Sequence, residues 1–322
     1  MVNGPVRFGV IGAGRIAQEA FAPAVHKAGN AVLCAAASRD PARAREMNPG
    51  RVHDSYEALL ADPEVEAVYV ATHNGLHRDL SVAAMRAGKH VLCEKPLGRN
   101  VAECEEMIAV AEETDRQLVE AFMYRHHAQW VKAQELVAAG AIGELRTVEA
   151  SFSYHLRNME DVRMNSEWGG GGLLDVGCYC VNVCRLFLGD EPRRVKALGH
   201  FHSEKKVDVA LHAILDYGEG RFGVISSGFD AGLRNRVLLS GTGGVIEVPA
   251  AFIGWRDETE IVLHRDGADD PERFSFPPRD LFQAEIEDLS DAIRGGGAPM
   301  LSTQEALANA RIIDRLLADS RA

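Results

Sequence analysis

The chain has 322 residues, 46% hydrophobic and 25% charged, which is enough for two cores and too apolar for a disordered polymer. Its formal net charge of -12 excludes the basic face on which nucleic-acid binders depend. No run of about 18 apolar residues is present to span a membrane. No basic segment followed by an apolar run opens the chain as a secretory signal would, so the expected location is the cytoplasm.

The six cysteines, Cys34, Cys93, Cys104, Cys178, Cys180 and Cys184, have neither zinc-ribbon spacing nor the density of a disulfide scaffold. Most lie inside apolar runs, as reduced thiols in a cytosolic protein do. Cys178 and Cys180 could form a redox pair, with buried packing as the competing reading.

Val6–Ile11 reads as a strand running straight into Gly12-Ala13-Gly14-Arg15-Ile16-Ala17, a G-x-G-x-x-A pattern. Gly12 permits the tight turn, Gly14 lets backbone approach a pyrophosphate, and Ala17 keeps the next helix near the sheet. Amides at that helix start then face the phosphates, and Arg15 and Ile16 are counted with the cofactor site. The second strand, Ala31–Ala37, ends in Ser38-Arg39-Asp40, where an NAD site usually has an acid for the ribose diol. A hydroxyl at Ser38 with guanidinium groups at Arg39 and Arg43 suits a 2′-phosphate. NADP(H) is therefore preferred and NAD(H) admitted. In the competing reading Asp40 takes the ribose and Arg39 merely caps a solvated helix.

Strands then alternate with helices. Ala67–Ala71 leads to Thr72-His73-Asn74-Gly75-Leu76-His77, and a helix through Leu80 and Ala84 stops at Gly88. The buried strand Val91–Cys93 ends in Glu94-Lys95-Pro96, placing Lys95 at the carboxyl end where open α/β sheets bind ligands. A helix over Val101–Thr114 and a strand near Gln117–Phe122 complete a doubly wound parallel sheet. Residues 1–122 are thus expected to form a Rossmann dinucleotide-binding domain.

Residues 123–322 read as an α+β domain for substrate binding and oligomerisation. A helix near Trp130–Ala139 is followed by strands at 145–154, 193–201, 207–217, 221–229, 235–240, 244–248 and 259–264. Successive strands without intervening helices make a mostly antiparallel sheet, and Tyr217-Gly218-Glu219-Gly220 supplies a hairpin. An open apolar sheet face predicts a homo-oligomer, a dimer or tetramer. Two helices close the chain. One carries the stripe Phe282, Ile286, Leu289 and Ile293, and the other opens on the capping box Ser302-x-x-Glu305.

Between the segments 145–154 and 193–201 lie Gly169-Gly170-Gly171-Gly172 and an apolar helix on which Asp175, Tyr179 and Asn182 recur at helical spacing. Four glycines make a backbone that can be approached closely. The polar stripe needs either a cleft or buried partners, and a satisfied core network serves as well as a site.

Glu94-Lys95-Pro96 after the fourth strand, followed by Asp175-x-Gly-x-Tyr179-x-x-Asn182, resembles the glucose–fructose oxidoreductase / inositol dehydrogenase / rhizopine-catabolism (Gfo/Idh/MocA) family over essentially the whole chain. The resemblance implies a nicotinamide cofactor across the N-terminal fold and a small sugar, polyol or diol substrate. It implies that Lys95 meets the nicotinamide and the substrate hydroxyl, that Asp175 holds the substrate, and that Tyr179 exchanges the proton. It also implies a cis bond before Pro96. Thr72, His73, Asn74, His77 and Glu94 are assigned to the cofactor surroundings, although His73 stands where the family loop has proline. Tyr179, where inositol dehydrogenases have histidine, is similar to the D-xylose and dihydrodiol dehydrogenase branch.

The chemistry needs a base for the hydroxyl proton, and tyrosine's ordinary pKa near 10 must be lowered by a cation. Lys95 lowers it and polarises the oxygen while Asp175 orients a second hydroxyl. Lys95 as the direct base is the alternative. Arg125 reaches cofactor or substrate, or pairs with an acid. Arg163, Trp168 and Asn182 are further substrate candidates, with simple surface roles competing for the first two. No spacing supports a metal site. A non-catalytic NAD(P)-binding regulator or sensor on the same fold is the competing function.

Overall fold

In the computed structural model, which describes residues 4–189, 191–254 and 256–321, the contacts divide the chain into two units. One comprises the chain up to Met123 together with Asp280–Ala310, and the other Tyr124–Arg279 and the chain from Arg311 onward.

The first unit is built on six parallel strands: β1 Val6–Ile11, β2 Ala31–Ala37, β3 Arg51–His53, β4 Ala67–Val70, β5 His90–Glu94 and β6 Leu118–Ala121. Their order is β3-β2-β1-β4-β5-β6, the doubly wound arrangement whose strand order reverses beside β1. β4 is fully buried, and so is the middle of β5, which explains their continuous apolar sequence. β3 has only three residues, too few for alternation to show in sequence. The helices His77–Arg86 and Val101–Thr114 pack on each other, and Gly88, at φ +79°, follows the first as expected of its C-terminal signal.

A division of the sequence at residue 122 differs from the division by contacts, because the chain returns. In the helix Leu281–Ile293, the buried stripe Phe282, Ile286 and Leu289 faces the helical segment 15–25 and β2. Asn30 Nδ2 donates to Glu287 O at 2.9 Å and to Asp291 Oδ1 at 2.7 Å, and Arg294 forks onto Glu66 at 2.9 and 3.0 Å. Periodicity reveals such a stripe but not which layer receives it.

Within this helix Glu285 is 2% exposed, and neither carboxyl oxygen has a hydrogen-bond partner. Burial first, then the nearby carboxylates of Glu94, Asp288 and Asp280, raise its pKa well above the ordinary range. A raised carboxyl pKa contributes stability below the unfolded value, and this is lost as pH climbs through the folded one. Glu285→Gln should therefore flatten the fall in Tm as pH rises above the ordinary carboxylate range, by about 2–4 °C relative to wild type. Parallel melting curves over that range would show that Glu285 is not the source.

The second unit carries eight strands: β7 Leu145–Ser153, β8 Arg194–Phe201, β9 Asp208–Gly218, β10 Arg221–Gly228, β11 Arg234–Gly241, β12 Gly244–Val248, β13 Thr259–Arg265 and β14 Glu272–Phe276. The order is β14-β13-β12-β11-β7-β10-β9-β8, antiparallel throughout except for the parallel β7–β10 pair. Gly218, Glu219 and Gly220, all at positive φ, turn the β9–β10 hairpin as the sequence predicts. β14, Glu-Arg-Phe-Ser-Phe at the sheet edge, is not expected from sequence, because its two phenylalanines alternate over too few residues. The helix Cys178–Leu188 packs on β7 and β10, with residues 178–185 all buried. All six cysteines are unbridged thiols, and burial raises the Cys180 and Cys184 thiols, which leaves them inert packing groups.

Candidate active site

The carboxyl ends of four strands line up in register, Ile11 opposite Ala37 and Val70, and Val70 opposite Cys93. Gly12, Ser38, Thr72 and Lys95 therefore emerge along one edge of the parallel sheet. Gly12 is at φ +97°, and a Cβ there would sit 2.6 Å from Ala71 O, so only glycine fits. Gly14 is different: a Cβ would lie 3.7 Å from the nearest protein atom, Ala71 O. The protein's own packing does not require that glycine, so the cradle is open for an outside group. Ala13 and Ala17 are buried, Arg15 is exposed and Ile16 is 39% exposed, beside the start of the helical segment 15–25. Residues present thus fit a dinucleotide pyrophosphate.

At the end of β2, Asp40 caps the helix Pro41–Glu46, accepting from the amides of Ala42 at 3.0 Å and Arg43 at 3.4 Å. Ser38 Oγ accepts from the Asp40 amide at 3.2 Å. The acid of this segment is thereby engaged with its own helix, while Arg39 is exposed. Arg43 donates to Gln18 Oε1 at 3.0 Å. Burial first, then the charges of Arg39 and Arg99, hold the His73 imidazole below its usual range, so this loop is neutral at His73 and cationic around it. Arg99, three residues past Pro96, has no motif that singles it out in the sequence.

The Glu94-Lys95-Pro96 turn is tied on several sides, and the bond before Pro96 is cis, as the resemblance implies. His77, fully buried, has Nδ1 2.9 Å from Pro96 O and Nε2 3.3 Å from Thr72 O. Burial lowers its pKa to about 4, so the neutral ring carries one proton, which the shorter contact assigns to Nδ1. His77 thus joins the Thr72 loop to the turn through backbone, and Asn74 opens the short 3-10 turn Asn74–Leu76 between them. Glu120 Oε1 accepts from the Leu97 amide at 2.8 Å. Tyr69, stacked on Phe21 with centroids 3.9 Å apart, donates its hydroxyl to Glu94. Lys95 is partly buried, and its amide donates to Glu94 Oε2 at 3.3 Å. Tyr69 and Glu120 read in sequence as strand residues only; their roles need the neighbouring strand ends.

In the second unit the polar stripe meets two sets of partners. Asp175 Oδ2 accepts from Tyr154 Oη at 2.8 Å and from Arg163 Nε at 2.9 Å, and Arg163 also pairs with Asp161 at 3.1 Å. The Asp175 carboxylate is the leading cause of a raised Arg163 pKa, which keeps that guanidinium charged. Asn182 is 1% exposed, and its Oδ1 accepts from Tyr124 Oη at 2.5 Å and Arg125 Nη1 at 3.3 Å. Tyr179, 7% exposed, lies among the rings of Phe152, Phe252 and Tyr124 at centroid distances of 5.4, 5.4 and 5.5 Å. Trp168 is 37% exposed, with its amide bonded to Asn165 Oδ1 at 3.2 Å. Partners such as Tyr124, Tyr154 and Phe252 come from other segments, so no local spacing could announce them.

The backbone of the glycine loop is approached closely, as its sequence predicts. The protein itself approaches this backbone: a Cβ at Gly170 would sit 2.3 Å from Arg163 O, and one at Gly171 2.2 Å from Asp208 Oδ1.

Models of known families match both units. Residues 6–122 match an oxidoreductase family with an NAD-binding Rossmann fold, and residues 130–247 match the GFO/IDH/MocA C-terminal domain. The chain is 36% identical over 315 residues to D-xylose 1-dehydrogenase (NADP(+)) 2 of Haloferax volcanii, covering 96% of this chain and 95% of that one. The chain belongs to the Gfo/Idh/MocA oxidoreductase family. Another relative in the family is the trans-1,2-dihydrobenzene-1,2-diol dehydrogenase of Mus musculus, 33% identical over 85% of this chain and 80% of its own. The 3-ketoreductase KijD10 of Actinomadura kijaniata, solved with NADP and TDP-benzene, superposes with a TM-score of 0.93 at 32% identity over 98% of each chain. As a Gfo/Idh/MocA protein the chain is an NAD(P)-dependent oxidoreductase acting on CH–OH groups.

Proposed function

We propose that the protein interconverts the carbinol and carbonyl of a sugar, polyol or vicinal diol with NADP(H), using Lys95, Tyr179 and Asp175. The observation that carries this reading is the Glu94-Lys95-Pro96 turn, held from three neighbouring segments by His77, Glu120 and Tyr69. A chain that only sensed a nucleotide would have no need to fix a lysine so closely. When bound, the nicotinamide supplies hydride transfer. The protein's residues do the rest. Tyr179 takes the hydroxyl proton during oxidation and returns it during reduction. Lys95 polarises the substrate oxygen and favours the phenolate, and Asp175, charged beside Arg163, orients a neighbouring hydroxyl. Gly12, Gly14, Ser38 and Arg39 hold the cofactor's phosphates and ribose.

The test is absorbance at 340 nm with NADP+ and a panel of aldoses, cyclic polyols and vicinal diols, and with NADPH and keto-sugars. Turnover of at least one member is expected. Binding of NADPH without turnover across the panel would leave the sensor reading in its place. Arg39→Ala should lower the NADP over NAD preference in kcat/KM by about tenfold or more, since one charge-assisted contact to the 2′-phosphate is lost. An unchanged ratio would remove Arg39 from cofactor selection.

The outer face of β8, β9 and β10 supports self-association. Leu198 is 81% exposed, Ile214 50%, Val224 38% and Phe222 37%, and Ile214 pairs directly with Val224. A second copy of the chain is the occupant we assign to it. Light scattering at micromolar protein should return a multiple of the 35.0 kDa chain mass, and a monomeric mass would refute the assignment. Six unbridged thiols suit a reducing compartment, which supports a cytoplasmic location. Among the described residues no helix is long and apolar enough to cross a membrane.

A further inference from the structure

We infer that Asp208 is a positioning residue, its carboxylate clamping the glycine loop so that Asp175 and Tyr179 keep their relative orientation on the helix that follows. This rests on the reading of Asp175 and Tyr179 given above.

Asp208 opens β9, 35 positions beyond the amide it binds, so no helix-cap pattern points to it. Its side chain is 2% exposed, and Oδ2 accepts from the Leu173 amide at 2.6 Å. The amide of Gly172 faces the same carboxylate. Gly171, at φ +120°, leaves the space in which Oδ1 lies, and Gly172 closes against Gly228, whose Cα would be 2.9 Å from a Cβ there. Five residues further along, a Cβ at Gly177 would meet Ser227 Oγ at 2.7 Å. The start of this helix is therefore seated on the adjoining ends of β9 and β10, with one carboxylate at the centre of the seat. Such a run of glycines has an internal explanation: at Gly170 the missing side chain admits the backbone of Arg163 and Asn165, at Gly171 Asp208, and at Gly172 the end of β10.

The helix geometry makes this seat matter for chemistry. Leu173–Gly177 is wound as a π-turn, and Cys178–Leu188 as an α-helix. A π-turn holds one residue more than the α-helical turn it replaces and persists only where its surroundings enforce it. Asp175 lies inside the π-turn and Tyr179 beyond it. Rewinding that turn by one residue rotates Asp175 against Tyr179 by about 100°, the angle per residue of an α-helix. The Asp175 amide donates to Gly171 O at 3.1 Å, so the residue orienting substrate is bonded directly to the loop that Asp208 grips.

Burial pushes the Asp208 carboxyl up to about 6, while the amides of Leu173, Gly172 and Asp208 itself and the guanidinium of Arg321 hold it down. At neutral pH the clamp is charged. As pH falls through about 6 it protonates, and its grip on the amides weakens.

The experiment compares full-length wild type with Asp208→Asn, which keeps the shape and one acceptor oxygen but no charge, over pH 5 to 8. D-xylose and NADP+ are the probe reactants. Wild type should show kcat falling on the acid side near pH 6. Asp208→Asn should lose this limb and have a plateau kcat lower by about tenfold or more, with KM for NADP+ unchanged. Hydrogen exchange of peptides covering 169–182 should be faster in the variant and unchanged over β1 to β6. A plateau kcat within about twofold of wild type, or an acid limb that persists in the variant, overturns the inference. Should wild type turn over no D-xylose, the choice of substrate fails on its own, and the exchange comparison decides: protection at 169–182 equal to wild type overturns the clamp, and faster exchange sustains it.

Discussion

Tyr179→Phe lowers kcat by about two to four orders of magnitude while leaving Tm and cofactor affinity close to wild type. The substitution suits its surroundings. Tyr179 is 7% exposed and packed through its ring against Phe152, Phe252 and Tyr124, and phenylalanine keeps each of those contacts. What is removed is one hydroxyl, so a fall in kcat reports proton exchange and not misfolding. Single-turnover measurements should show the loss in the chemical step, with KM for substrate changed far less than kcat. A variant within about threefold of wild type in kcat would exclude the phenol as essential acid–base and move that role to Lys95.

Lys95→Met lowers kcat by about two to three orders of magnitude, the scale seen when one preorganised donor to a reacting oxygen is deleted. Methionine preserves the length of the side chain and removes its charge. Because Lys95 is partly buried in a turn fixed by His77, Glu120 and Tyr69, the backbone should hold its course in the variant. The pH profile then separates the two versions of the mechanism. With Tyr179 as the base and the Lys95 ammonium assisting it, as proposed, loss of that charge raises the phenol's pKa, so residual oxidation should grow toward alkaline pH beyond the range where wild type levels off. With Lys95 as the base, Lys95→Met has no such residual limb, and Tyr179→Phe retains nearly full activity.

Two of the glycine positions show how far spacing alone carries an argument. G-x-G-x-x-A after an apolar strand names its chemistry locally, because turn geometry, phosphate approach and helix–strand closeness are all imposed within six residues. Gly12 and Gly14 behave accordingly. The Gly169–Gly172 run has the same appearance in sequence, yet Gly171 and Gly172 accommodate Asp208 and the end of β10, groups from elsewhere in the chain, and Gly170 the backbone of Arg163. Asp175, Tyr179 and Asn182 were visible as a stripe, whereas their partners Arg163, Tyr154, Tyr124 and Arg125 are assembled by the fold. In the same way the stripe Phe282, Ile286 and Leu289 announces a buried face without saying against which sheet, and the unpartnered Glu285 on that helix looks in sequence like any solvated acid.

The sequence by itself determined the alternation of strands and helices, the dinucleotide fingerprint, the lysine at the end of β5 and the family to which they belong. Each of these is a local pattern, set by backbone periods of 2 and 3.6 residues and by turn chemistry. Only the tertiary structure decided that Asp40 serves its own helix, that His77 braces the turn at Lys95, and that Asp208 sits beneath the glycine loop. Those contacts join residues that are remote in sequence or face a direction periodicity leaves open, and burial then sets which of them carries a charge.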